Sequence, residues 1–315
     1  MNKNASPKPK KIIWITAASL IVLLCGYLGL RIYIVQDLTW NDLYSFFSIE
    51  TSGKLEVDGE VSVAVLDVGQ GDCIVIQAGE TTVMIDAGDR GAEQGICAFL
   101  DDNGIKRIDY LLATHPHADH IGGMRGVIEH CEIGEVLFSH IPDAIVPTTS
   151  VYRGLLEIIA ARQIPSHIAD VGEKITLDRG LLTVLFAGGL NDLNNCSLVV
   201  RYDYGAASFL FMGDAELKVE DDLMSRDAFL SADVLKAGHH GSQTGTSELF
   251  LEAVAPSFVV ASAGTGNTYG HPHRAFMDRV AAYGAVLLRT DLGGSIIFVC
   301  DGGEPVYQQP AGKAA

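Results

Sequence analysis

The stretch Asp109-Tyr-Leu-Leu-Ala-Thr114-His115-Pro116-His117-Ala118-Asp119-His120-Ile121-Gly122-Gly123 decides how this chain is read. The apolar run Tyr110–Ala113 predicts a buried strand, and the polar residues that follow mark its end. His115 and His117 stand two apart, so on an extended backbone their rings face the same way. Two imidazoles side by side suit one zinc-like ion. Asp119 and His120 come after a turn and can address a second ion, while Gly122 and Gly123 let the chain turn tightly into the next helix. The competing reading is of histidines satisfied inside a core, and it does not account for four ligand-type side chains within six residues.

The same arrangement recurs downstream. Seven of the ten histidines fall in three clusters, at 115/117/120, 239/240 and 271/273, each directly after an apolar run. Phe209-Leu-Phe-Met-Gly213-Asp214 places an acid after a buried strand, where it can bridge two cations or cap the helix-like segment behind it. Val234-Leu-Lys-Ala-Gly238-His239-His240 and Asn267-Thr-Tyr269-Gly270-His271-Pro272-His273 are two further such strand ends. Loops far apart in sequence can meet on one rim of a layered fold, so the three clusters are candidates for a single site.

The body of the chain alternates short Val/Ile-rich runs with helix-like stretches. Strands are expected at Val61–Leu66, Cys73–Gln77, Thr82–Ile85, Tyr110–Ala113, Leu181–Phe186, Ser197–Tyr202 and Ser208–Met212, then at Val234–Lys236, Phe258–Ala261, Val286–Arg289 and Ser295–Val299. Helices are expected at Ala92–Asp102, Gly123–Cys131, Ser150–Arg162, Ala215–Leu230 and Arg274–Tyr283. Two strand-rich halves with interspersed helices predict an α/β (α+β) fold: two sheets face to face with helices outside, an αββα sandwich. No period of solenoid length is present.

The bulk numbers are compatible with this. Of 315 residues 48% are hydrophobic and 19% charged, enough to bury a core. The net charge of −17 disfavours non-specific polyanion binding at long range. The six cysteines include no CxxC pair, which excludes a thiolate metal framework; they read as small core residues. Residues 1–11 hold Lys3, Lys8, Lys10 and Lys11 and form a basic tail. Ile12–Leu30 has no charge and, at 1.5 Å per residue, spans about 28 Å as a helix, so 12–34 is expected to be a single signal anchor. A cleaved signal peptide fits less well, because no small-residue cleavage site follows. The basic flank then puts the rest of the chain outside the cytoplasm. Residues 35–60 read as a juxtamembrane linker, 61–300 as the catalytic domain and 301–315 as a disordered tail.

Taken together, several motifs resemble one family. Asp67-Val-Gly-Gln-Gly-Asp72, Ile85-Asp86-Ala-Gly88, Thr114–Gly123, Asn195-Cys-Ser-Leu-Val199, Gly213-Asp214, His239–Ser242 and Asn267–Pro272 occur in the order of the metallo-β-lactamase fold. They most resemble the hydrolase domain of the ComEC-type competence DNA-uptake family, over about residues 61 to 300. The resemblance implies the αββα sandwich and a dinuclear centre of two divalent ions, Zn²⁺ or Mn²⁺. It implies His115 and His117 as ligands of the first ion, Asp119 and His120 of the second, and Asp214 as the bridging carboxylate. His271 is the implied last ligand of the second site, with His239 or His240 beside the reacting group; the alternative makes His240 the ligand. Asp86 is implied as a support for the histidine loop. The fold's third first-site histidine is replaced by Asn195, a weaker zinc ligand, so the first ion is expected either to bind loosely or to be a harder one such as Mn²⁺. The chain has one apolar span where the competence channel has many, so the hydrolase and not transport carries over.

Two cations sharing Asp214 would generate a hydroxide near neutral pH, with Asp119 orienting it and His239 or His240 as acid. The expected function is phosphodiester hydrolysis of extracytoplasmic DNA at the membrane, with single-stranded DNA or another phosphodiester as the substrate. The alternatives are hydrolysis of a small ester, lactone or β-lactam, and a non-catalytic anchored binding protein with a vestigial site. No feature specifies a protein partner.

Overall fold

The computed structural model describes residues 60–226 and 228–308. Strand β1 (Val61–Val65) is buried along its whole length. Val63 and Val65 enter a core between two sheets, while Ala64 enters a second core under helices. A strand covered on both faces reads as a continuous apolar run rather than an alternating one.

Seven further strands join β1 in the first sheet: β2 (Ile74–Ala78), β3 (Thr81–Ile85), β4 (Arg107–Ala113), β5 (Glu132–Phe138) and β6 (Ser166–Ile168), then β14 (Ile296–Cys300) and, last, β15 (Val306–Gln308). The order is β15-β14-β1-β2-β3-β4-β5-β6. The second sheet comprises β7 (Lys174–Thr176), β8 (Leu181–Ala187), β9 (Leu198–Tyr204), β10 (Ala207–Phe211), β11 (Val234–Lys236), β12 (Phe258–Ala261) and β13 (Val286–Arg289), in the order β13-β12-β11-β10-β9-β8-β7. Each half starts with antiparallel hairpins and then adds parallel strands. β3 pairs antiparallel with β2 but parallel with β4, as β10 does with β9 and β11.

The inner faces meet in one apolar layer that includes Ile76, Val83 and Leu112 from the first sheet and Leu182, Val200 and Phe209 from the second. Helices α1 (Glu93–Asp102), α2 (Ala118–Ile121), α3 (Met124–His130) and α4 (Ser150–Arg162) come from the first half, with Phe99, Val127 and Leu155 packing on the first sheet's outer face. The second half adds α5 (Leu217–Ser225), α6 (Glu248–Val254), α7 (Arg274–Tyr283) and α8 (Thr290–Gly293). Leu223, Phe250 and Phe276 bury against the other outer face. The layering is the expected αββα sandwich.

Some elements differ from the sequence reading. β5 was not foreseen, because Glu132, Gly134 and Glu135 interrupt its apolar pattern. α6 is seven residues long, too short for a helical period to show; its cap is Ser247, whose hydroxyl accepts from Phe250 N at 3.2 Å. The helix expected over Ala215–Leu230 is confined to Leu217–Ser225. β15 carries the first sheet into the stretch read as a tail. The expected anchor at 12–34 lies outside the described residues, as do nearly all of the linker and residues 309–315. Among the described residues no helix is long and apolar enough to cross a membrane. All five described cysteines are unpaired.

The parallel strands β3, β4 and β5 point their carboxyl ends to one rim, and so do β10, β11 and β12. Crevices outside the carboxyl ends of such strands are where α/β sheets place ligands.

Candidate metal centre

All of the strands on that rim except β5 end in residues that reach the centre. Asp86 follows β3, Thr114 to His120 follow β4, Asp214 follows β10, His239 and His240 follow β11, and Ser262 follows β12. Three of these residues, Asp86 (φ 58°), His239 (φ 47°) and His240 (φ 55°), adopt the left-handed backbone that non-glycine residues avoid. Such strain, about 1–3 kcal/mol each, persists where surrounding structure holds it, and it clusters at functional sites.

His115 and His117 lie as the spacing predicts. His115 Nε2 and His117 Nδ1 are 3.0 Å apart, and His115 Nε2 is 3.6 Å from Asp214 Oδ2. The other Asp214 oxygen, Oδ1, lies 3.2 Å from His120 Nε2 and 3.4 Å from His240 Nε2. Asp119 Oδ2 is 3.4 Å from the same His240 nitrogen. His115, His120 and Asp214 make one group able to hold an ion, and Asp119, His120 and His240 another. Asp214 is not a helix cap: α5 starts after Glu216, and Asp214 N–H donates to Ser197 Oγ at 2.9 Å.

Behind these atoms stands a second layer that fixes each ring. Thr114 Oγ1 donates to Asp86 Oδ2 at 2.6 Å, and His120 Nδ1 donates to the same oxygen at 2.7 Å. Thr114 Oγ1 and Ser197 Oγ lie 3.2 and 3.3 Å from His115 Nδ1. His240 Nδ1 donates to the Ser262 carbonyl at 3.0 Å and lies 3.2 Å from Asp72 Oδ1. In all three rings Nδ1 faces the protein and Nε2 faces inward, the arrangement that second-layer partners impose on metal-binding histidines. Asp86 therefore holds the histidine loop, as the motif implied.

The fit to a metal rests on atoms left over. His120 Nε2, His240 Nε2 and Asp214 Oδ1 are buried and have no hydrogen-bond partner, although buried polar atoms are normally paired. They converge on one point with a carboxylate among them. The charges agree. Burial raises the Asp119 carboxyl, but His240 and His120 outweigh it and hold it at about 2. Burial lowers His240, yet Asp214, Asp119 and Asp72 carry it up to about 9. Burial and neighbouring His120 keep His115 well below its ordinary value, a neutral ring ready to ligate. The field that draws a proton onto His240 is one a divalent cation satisfies better, by displacing that proton.

Asn195 is not turned towards the centre. Its Nδ2 donates to Asp192 Oδ1 at 2.9 Å and Glu216 Oε2 at 3.2 Å, and its Oδ1 accepts from Glu216 N at 3.1 Å. Glu216 in turn accepts from His239 Nδ1 at 2.9 Å, which aims His239 Nε2 towards Asp214 Oδ2, 3.9 Å away. His271 stands further out, its ring centre 6.0 Å from that of His240, and neither it nor His117 is in an ion-holding group, although His117 Nδ1 stands against His115 Nε2. Burial and the neighbouring histidines push His271 down to about 4. A cleft of about 340 Å³ opens over the centre, lined by Gln70, His117, Asn194, His239, Tyr269 and His271 among others.

Glu216, Ser197 and Thr114 carry no strong signal in the sequence. Asp72 and Lys236 do. A lysine inside the apolar run Val234–Ala237 needs a buried partner, and Lys236 Nζ meets Asp72 Oδ2 at 2.9 Å, both side chains 1% exposed. Asp72 reaches the rim because Gly71 (φ +140°) passes so close to Asp119 that a Cβ there would lie 2.3 Å from its carbonyl oxygen. Gly123 is required for a similar reason, with Ala87 O 2.2 Å from where its Cβ would stand, rather than for a left-handed turn.

The model of the Metallo-beta-lactamase superfamily matches residues 66–264. Competence protein ComA of Neisseria gonorrhoeae is 33% identical over 297 residues, covering 93% of this chain and 39% of that protein. ComE operon protein 3 of Bacillus subtilis is 31% identical over 264 residues, covering 77% of this chain and 33% of that protein. The chain thus spans well under half the length of these relatives. Among solved structures, the metallo-beta-lactamase fold protein YhfI of Bacillus subtilis superposes with a TM-score of 0.50 at 10% identity, over 76% of this chain and 99% of that one, a likeness of fold alone.

Proposed function

The chain belongs to the metallo-beta-lactamase superfamily and is a metal-dependent hydrolase related to the competence proteins, and from that premise we propose that it is a dinuclear phosphodiesterase of extracytoplasmic DNA, anchored to the membrane by residues 12–34. The observation that carries the dinuclear reading is the Asp214 carboxylate. One oxygen faces His115 and the other faces His120 and His240, so a single side chain addresses two sets of ligand atoms. His115, His117 and Asp214 would hold the first ion, with His239 beside Asp214. Asp119, His120, His240 and Asp214 would hold the second. His240 takes the place that the resemblance gave to His271, because its Nε2 is the buried, unpartnered atom at that point.

When bound, two divalent ions, zinc or manganese, would supply a nucleophile near neutral pH and neutralise phosphoryl oxygens. The chain's own residues do the rest. Asp119 accepts a hydrogen bond from the attacking water and orients it. His239, backed by Glu216, donates from Nε2 to the departing oxygen. His271, neutral at pH 7, offers an N–H to a non-bridging oxygen. Imidazole and amide donors around the cleft suit a phosphodiester better than an apolar ester or lactone. No protein partner is proposed.

The test is metal content together with turnover of single-stranded DNA and bis-p-nitrophenyl phosphate, measured beside lactone and β-lactam substrates. Roughly two ions per chain and turnover of both phosphodiesters are expected. Turnover of the lactone or β-lactam alone would select the small-ester alternative. No turnover at full metal content would leave a binding protein.

A further inference from the structure

The cleft over the metal centre has polar walls, yet none of its lining residues is a lysine or arginine. The whole chain carries −17. A nucleic-acid strand therefore finds no basic groove here, and affinity beyond the metals has to come from another source. Tyr269 supplies a surface of the right kind. The residue is 65% exposed and lines the cleft. Its ring lies within 18° of parallel to the His271 ring, with centres 5.8 Å apart. His271 lies 34° from parallel to His240, at 6.0 Å. Three rings thus step outward from the centre, and the last has a face open to solvent.

The loop that carries Tyr269 is pinned on both sides. Asn267 Nδ2 donates to Gly264 O at 2.9 Å and to His271 O at 2.6 Å. Asn267 Oδ1 accepts from His271 N at 3.0 Å, and His273 Nε2 donates to Tyr269 O at 3.1 Å. Gly270 (φ +75°) makes the turn between the two rings. A loop already ordered loses little entropy when a ligand settles on it.

We propose that Tyr269, stacked on His271, is a platform for one unpaired nucleobase beside the metal centre, and that it selects single-stranded over duplex nucleic acid. The proposal rests on the phosphodiesterase reading above. A base stacked on an aromatic ring contributes without regard to sequence, and a base still paired within a duplex cannot reach the ring. The phosphate next to that base is then delivered to the centre, while the base occupies the outer face of Tyr269.

The test is the binding of a labelled phosphorothioate pentathymidylate, which resists hydrolysis, to the full-length metal-loaded chain. It is read by fluorescence anisotropy and repeated with an abasic residue at each position in turn. Tyr269→Ala is expected to weaken the intact strand by about 5- to 150-fold, the range that one stacked base supplies. One abasic position should cost wild type the same factor and make the strand indifferent to Tyr269→Ala. Tyr269→Trp should restore binding, and metal content should stay at the wild-type value in both variants. An equal loss for intact and abasic strands would overturn the platform, as would no loss at all, a loss of metal in Tyr269→Ala, or duplex binding as tight as single-strand binding. Strand binding that follows the expected pattern without turnover of bis-p-nitrophenyl phosphate would refute the phosphodiesterase reading and leave the platform standing.

Discussion

Replacing Lys236 by methionine removes the ammonium that faces Asp72 across the floor of the centre. Lys236 Nζ lies 2.9 Å from Asp72 Oδ2 and donates to Ala237 O at 2.8 Å, with both side chains inaccessible. Burial works to raise the Asp72 carboxyl, but Lys236 and then His240 hold it far below its usual range. Without the lysine a buried carboxylate is left with Ser262 Oγ and His240 Nδ1 only. Breaking one side of a buried pair costs about 3–5 kcal/mol, whereas neutralising both sides costs much less. Lys236→Met should therefore destabilise the metal-free domain by about 3–5 kcal/mol, and Lys236→Met with Asp72→Asn should regain more than half of that loss. Because the folded pKa of Asp72 is depressed, the pair contributes above about pH 4 and its contribution disappears as pH falls further. The variant's deficit should narrow at acid pH. Urea unfolding followed by far-UV circular dichroism measures all three quantities; both tryptophans, Trp14 and Trp40, lie outside the described residues. A cost under about 1 kcal/mol for Lys236→Met, or a double variant no better than the single, would refute the argument.

Other outcomes follow from the same geometry. His240→Ala should lose about one metal ion per chain, while His271→Ala should keep both and lose about 100-fold in turnover; metal analysis showing the reverse would return His271 to the ligand set. His240 is raised from 6.5 to about 9 in the metal-free protein, so its contribution is complete below pH 6.5 and is lost as pH rises through 9. The melting temperature of the metal-free protein should fall over that window more steeply than that of His240→Gln, and equal slopes would count against the assignment. Gly71→Ala forces a Cβ to 2.3 Å from Asp119 O, and the resulting shift should cost about 1–3 kcal/mol and weaken metal binding; a variant with wild-type metal affinity would show that the loop yields freely.

Much of the fold was legible because both sheets are covered on both faces. Strands such as Val61–Val65 and Phe209–Phe211 then read as plain apolar runs, and β5, broken by Glu132, Gly134 and Glu135, did not. The short elements β6, β7 and α6 were missed because three to seven residues hold no period. At the site, the ligands crowded into His115–His120 were visible by local spacing alone. Glu216 was not, because its role comes from one contact with His239 and another with Asn195, residues that only the tertiary structure brings to it.

The sequence by itself determined that strand ends carry metal-type ligands, since adjacent residues on an extended chain have a known direction. It left His240 and His271 interchangeable, since both follow a strand and both stand beside other histidines. Only the packing of the two sheets places them differently. The left-handed backbone at His239 and His240, with Asp72 and Ser262 behind the ring, turns His240 Nε2 onto Asp214 and Asp119. His271 is held outward by Asn267, beside Tyr269. Which imidazole faces Asp214 and Asp119 is set by contacts between residues far apart in the chain, and no local pattern encodes them.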